Sequence, residues 1–204
     1  MTLKPFERYS ISIGFIFQGP LLAYMALLDW KGYLALTLLS SALGFWVNSL
    51  LKKGTSFHTM HWLMMLSFSN LGMWIGWMAD FNFLPLLRDG ICLCGCACSP
   101  LGLGAAFHCP WMYAGMYLAA LPAMLLKNPQ TNRVCSANIL GCLAMGPGMM
   151  LGTYLLSHLP IQNPIFHFFL TVFVMLVGMA LGMLVTEKTV HAFRKRSTVA
   201  VSSL

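Results

Sequence analysis

Apolar positions in this chain fall in six long runs, and the short intervals between them hold almost every charged residue. The runs cover residues 9–28, 32–51, 58–78, 110–126, 136–156 and 165–186, between 17 and 22 residues each. At about 1.5 Å per residue, runs of this length match a hydrocarbon core of about 30 Å. The pattern predicts an all-α integral membrane protein with six transmembrane helices in a single polytopic domain. Only residues 29–31 separate the first two runs, which predicts a tight helical hairpin. Gln18-Gly19-Pro20 sits inside the first run and predicts a kink whose freed backbone group a neighbouring helix must satisfy. That run is too long for the apolar core of a cleaved leader and lacks a small-residue cleavage site, so it is expected to be retained.

Residues 79–109 fit no single element. Asp80, Arg88 and Asp89 belong in water, whereas the apolar part beyond them is broken by Gly95, Pro100, Gly102 and Gly104. The interval reads as a Cys-rich outer loop, a re-entrant segment or the broken start of the fourth helix. It must lie against protein or water, because irregular backbone does not face lipid.

The third run organises the rest. It has no Asp, Glu, Lys or Arg, yet carries His58, His61, Asn70 and five methionines. His61 is followed eleven residues on by Gly72-Met73-x2-Gly76, and His167 eleven residues on by Gly178-Met179-x2-Gly182. Eleven residues return a regular helix to within about 20° of its starting direction, so each histidine is expected to share a face with glycines that admit another helix.

Charge orients the spans. With the N-terminus inside and six alternating spans, 10 of the 12 basic residues fall inside and only Lys31 and Arg88 outside. That satisfies the positive-inside rule, and both termini are expected in the cytoplasm. The third and sixth helices then run oppositely, and their common motif suggests a 3+3 inverted repeat.

Composition removes other classes. Hydrophobic residues make up 58% and charged residues 8%, with mean hydropathy +0.75, far from a soluble domain. The formal charge of +7 lies beside apolar spans, where it anchors the protein in a multi-pass arrangement in the cell or inner membrane, with lipid and not nucleic acid as its partner. No nucleophile–base set, phosphate loop or carboxylate pair stands out, and all five acids fall outside the runs. Neither enzymatic activity nor a carboxylate proton relay is expected.

What remains is an abundance of soft donors. Met175, Met179 and Met183 are spaced i, i+4, i+8, as are His108, Met112 and Met116. Cys135, Asn138, Cys142, Met145 and Met149 follow helical steps of three and four. Cys92, Cys94, Cys96 and Cys98 alternate, with His108 and Cys109 behind them, and alternation puts sulfurs on one side of an extended chain. Thioether, thiolate and imidazole together favour Cu(I) and similar soft ions. Methionine is also an adaptable filler of helix contacts, and loop cysteines also form disulfides or pack as small apolar residues. His61 and His167 are the preferred intramembrane pair. The leading expectation is therefore transport or handling of a soft metal ion, with Cu(I) as the cofactor or cargo. The alternatives are a non-catalytic subunit of a membrane complex, whose histidines hold a haem, and a membrane assembly factor using thiol exchange. In each, the glycine faces are available for homo-oligomer or complex contacts.

Overall fold

A computed structural model of the chain describes residues 5–84, 87–88, 91–92, 109–127, 136–157 and 163–202. All six apolar runs are helical. The elements are α1 (Pro5–Met25), α2 (Trp30–Lys53), α3 (Phe57–Met64), a π-helical turn (Met65–Ser69), α4 (Asn70–Asp80), α5 (Pro110–Met124), α6 (Ser136–Ser157) and α7 (Pro164–Ser202). Two-residue strands β1 (Leu87–Arg88) and β2 (Ile91–Cys92) pair antiparallel, Leu87 opposite Cys92 and Arg88 opposite Ile91. They lie within the interval expected as an outer loop, of which residues 85–86, 89–90 and 93–108, with Cys94, Cys96, Cys98 and His108, fall outside the described residues. Among the described residues, Trp30–Lys53, Ser136–Leu156 and Pro164–Val190 are long and apolar enough to cross a membrane. α7 does not end near Thr186 but continues as helix to Ser202, 39 residues in all.

Local chemistry explains the helix starts. Asp29 Oδ1 accepts from the Gly32 amide at 2.9 Å at the head of α2, and Ser56 Oγ accepts from Thr59 at 3.0 Å at the head of α3. Asn163 Oδ1 accepts from Phe166 at 3.1 Å to open α7. For α5 the cap comes from another helix: the Asp80 carboxylate accepts from the Trp111 and Met112 amides at 2.9 and 2.8 Å. Asp80 is thus not simply a hydrated loop acid, because its charge meets the positive end of the α5 dipole.

Two helix-interior prolines follow one rule. Pro20 leaves the Ile16 carbonyl without its i+4 donor, and Ser40 Oγ on α2 donates to that oxygen at 2.9 Å. Pro147 does the same to the Leu143 carbonyl, which accepts from the Tyr117 hydroxyl on α5 at 3.1 Å. Both helices run through their prolines because a neighbour replaces the missing bond.

The helices pack as three antiparallel hairpins, each closed by glycine. In α1–α2, a Cβ on Gly19 would overlap Ser40 and the Leu36 carbonyl. In α4–α5, Gly72 lies on the Gly115 carbonyl and Gly76 on the Trp111 carbonyl; in α6–α7, Gly148 and Gly178 lie on each other's carbonyl oxygens. Such backbone approach is what small-x3-small faces provide.

Contacts between hairpins fix the remaining directions. Gln18 Nε2 donates to the Leu66 and Ser67 carbonyls, and the Tyr24 hydroxyl donates to the Phe83 carbonyl, so α1 runs parallel to α3–α4. Met65 meets Cys142 and Ser69 meets Met145, so α6 is parallel to them also. His58 pairs with Glu187 and the Trp77 ring stacks on Phe168, so α7 is antiparallel. Lys52, Lys53, Lys127 and Lys188 consequently lie at one end of the bundle, hereafter the basic end, and Asp29, Lys31, Asp80 and Cys109 at the other.

The π-helical turn changes how the third apolar run must be read. One extra residue in a turn shifts the phase of everything after it by about 100°. His61 therefore does not share a face with Gly72: it looks toward α6 and α7, whereas Gly72 and Gly76 lie on α5. α7 has no such turn, so the two histidine–glycine motifs are not equivalent in space.

The turn itself is held in place by α1. Its displaced carbonyls Leu66 and Ser67 take the two Gln18 bonds, and Ser67 Oγ donates to the Ile11 carbonyl at 2.6 Å.

Candidate functional site

The central rod α3–π–α4 separates two interiors. Toward α1 and α2 lie Ile11, Phe15, Val47 and Leu51, with Leu63, Met64, Leu66 and Phe68 against them. Toward α5, α6 and α7 lies a larger contiguous cluster holding twelve methionines, Met25, Met65, Met73, Met78, Met112, Met116, Met124, Met145, Met149, Met175, Met179 and Met183. Its rings are Trp74, Trp77, Tyr113 and Phe168, with Trp74 stacked on Trp77 and Trp77 on Phe168 at about 6 Å between centroids.

At the π-helical turn the sulfurs of facing helices touch. Cys142 Sγ lies 3.2 Å from Met65 Sδ, and Ser69 Oγ lies 3.7 Å from Met145 Sδ one turn further along. Cys142 is a free, buried thiol. Toward the basic end, α3 continues the series with His61 and His58, α6 with Asn138, and α7 with Met183 and Glu187. His58 Nδ1 sits 3.1 Å from Glu187 Oε1, both partly exposed, and a cavity of about 10 Å³ is lined by His61, Asn138, Met183 and Glu187. Along this interior several polar atoms are buried without a hydrogen-bond partner: His61 Nε2 and Asn138 Nδ2 toward the basic end, and Asn70 Oδ1 and the indole nitrogens of Trp74 and Trp77 further along.

The residues singled out by sequence separate as follows. Met112, Met116, Met175, Met179 and Met183 all enter the methionine interior and are buried. His61 is buried at the basic end, whereas His167 is part-buried near Trp77 and Phe168 at the opposite end. Sixteen residues of α7 separate His167 from Met183, the His61 neighbour, which is about 24 Å of helix. The two histidines do not meet. Cys109 is buried at the head of α5 and disulfide-bonded, which occupies its sulfur. Cys92 contributes its backbone to β2. Among the described residues no three His, Cys, Asp or Glu side chains converge as a metal site.

Sequence reasoning noted Asn70 and the five methionines of the third run but gave Met65, Ser69, Asn70 and Glu187 no part in a site. The first three are placed by the π-helical turn, for which a run of methionine, serine and asparagine carries no signal. Glu187 stands one i+4 step beyond Met183, so the stripe Met175–Met179–Met183 could have been extended to it. Neither a protein family, a curated protein nor a solved structure matches this chain.

Proposed function

We propose that this chain spans the membrane six times with both termini cytoplasmic, and that it transports or handles a soft metal ion of the Cu(I) kind through its sulfur-rich interior. The observation that carries the reading is the contact of Cys142 with Met65 inside a contiguous cluster of twelve methionines, at a π-helical turn. Such turns recur at functional sites, and neutral thioethers bind soft cations without a buried carboxylate. Alternation of helix directions and the collection of lysines at one end support six spans with the basic end inside. The outward faces are apolar, with Leu38, Phe45, Leu118, Leu155 and Phe173 exposed, as a lipid surface requires. By sequence alone, Cys92, Cys94, Cys96 and Cys98 add soft donors on the opposite side. The shared histidine–glycine motif serves hairpin packing in this reading rather than a 3+3 inverted repeat.

A second reading, a subunit of a larger membrane complex, draws on one feature. A groove of about 450 Å³ between α6 and α7 is lined by Leu151, Leu155, Val177 and Leu181 along the glycine faces, a shape that takes another helix or a lipid.

Uptake of Ag(I), a soft monovalent probe, into vesicles holding the purified chain separates the two. The variant M145L/M175L/M179L keeps volume and apolarity, so folded yield should hold within about 1.5 kcal/mol per site. Uptake should fall at least tenfold. Unchanged uptake in the triple variant, or none in the parent chain, would leave the subunit reading in front.

A further inference from the structure

We infer that His61, Met183 and Asn138, with Glu187 at the rim, form a single-ion site for a soft cation at the basic end of the methionine interior. The inference rests on the soft-cation reading above and names where the ion leaves the sulfur ladder.

Three observations converge on this position. His61 and Asn138 are only 5% and 9% exposed, and each keeps a side-chain nitrogen, Nε2 and Nδ2, without a partner. Burying polar atoms unpaired is unfavourable, so two such residues lining one space point to an occupant. Both residues line the same cavity, and its volume of about 10 Å³ is enough for one water-sized particle or a bare ion. The third observation is the order of donors. On α7, Met175, Met179, Met183 and Glu187 stand at successive i+4 positions, so the thioether stripe ends in a carboxylate. On α3, His58, His61 and Met65 oppose them in reverse order, through the His58–Glu187 pair at 3.1 Å and the shared His61–Met183 cavity.

Donor character thus hardens stepwise along the interior. Thiol and thioether meet at Met65 and Cys142, thioether and imidazole at Met183 and His61, imidazole and carboxylate at the mouth. A soft cation is held most firmly by sulfur, and each exchange of sulfur for nitrogen and then oxygen weakens the grip. Such an order favours release toward the basic end. At the inferred site the neutral imidazole offers the Nε2 lone pair and Met183 its sulfur. Asn138 offers Oδ1 after a half-turn of its amide, whose nitrogen and oxygen are interchangeable in shape. Glu187 supplies the compensating charge, and its pairing with His58 keeps the carboxylate at the rim.

The test uses the purified full chain loaded with Ag(I), followed by metal counting and X-ray absorption at the silver edge. The parent chain should show nitrogen as well as sulfur neighbours. M183L, which preserves volume, and H61Q, which keeps a polar group, should each bind one ion fewer and lose the nitrogen signal. Glu187→Gln should keep the count but weaken that ion at least tenfold. Equal counts and an unchanged spectrum in both M183L and H61Q would mean the cavity holds a bridging water only, and the inference would fall. Sulfur neighbours alone in the parent chain would also overturn it while leaving the soft-cation reading standing. A parent chain that binds no silver would overturn both.

Discussion

The two interiors on either side of the central rod are built from different side chains although they share one helix. Ile11, Phe15, Val47 and Leu51 close the space toward α1 and α2, and the one methionine against them, Met64, is only part-buried. The space toward α5, α6 and α7 takes twelve. Were methionine only an adaptable filler, it would be expected on both sides, since both are dry helix contacts of similar kind. Its concentration on one side, where Cys142, His61, Asn70 and Asn138 are also buried, is the pattern the proposed soft-cation reading requires. The rod achieves the separation with the π-helical turn, which re-phases the helix so that Met65 and Met73 both enter the same cluster.

Close backbone packing is common to both sides and should give the largest effects without regard to sulfur. Leucine at Gly44 would run into Ile16 and the Ser12 carbonyl in the α1–α2 hairpin; at Gly178 it would run into the Gly148 carbonyl beside the methionines. Each should cost at or above the upper end of about 1–3 kcal/mol and abolish most monodisperse protein in detergent. A normal yield for G178L with a collapsed yield for G44L would mean that α6 and α7 are held by something other than their glycines.

The bonds that rescue the prolines come next in size. Ser40→Ala removes the donor to Ile16 on the α1–α2 side, and Tyr117→Phe removes the donor to Leu143 beside the methionine interior. Each should lower the thermal midpoint through a loss of about 1–3 kcal/mol, because the carbonyl left bare has no water to turn to. Equal losses would place the two interiors on the same structural footing, and the contrast between them would then be one of chemistry alone. A much larger loss for Tyr117→Phe would instead make the methionine side depend on polar ties for its shape.

Much of this architecture is legible in the residue order, and what escapes it has physical causes. Long apolar runs mark the helices because a helix that must be apolar all round has no amphipathic phase to be misread. Pro20 announces a freed carbonyl, but its partner Ser40 becomes visible only once α2 lies beside α1. Met112, Met116, Met175, Met179 and Met183 are found by their spacing, because α5 and α7 are regular over those residues. His61 is found as a buried polar residue and misplaced in phase, since the shift of about 100° arises from a turn whose cause, Gln18, sits 48 residues away from Leu66. Asp80 escapes for a similar reason: its role as the α5 cap depends on amides 31 and 32 residues along the chain.

The smallest effect is the one that sharpens the comparison most. Leu51 and Leu63 belong to the methionine-poor interior, and leucine and methionine are close in volume and apolarity. L51M/L63M should therefore change stability by less than about 1.5 kcal/mol per site, while adding two thioethers to a dry helix contact. If soft-cation binding depends on donors that converge, as Met65 and Cys142 do at 3.2 Å, those extra sulfurs should add no silver to the purified chain. Binding should still fall in M145L/M175L/M179L, where the number of buried thioethers drops on the converging side. Should L51M/L63M instead take up a further ion per chain, silver would be reporting the mere presence of thioether in an apolar bundle. The segregation of methionine would then lose its functional meaning, and packing alone would account for both interiors.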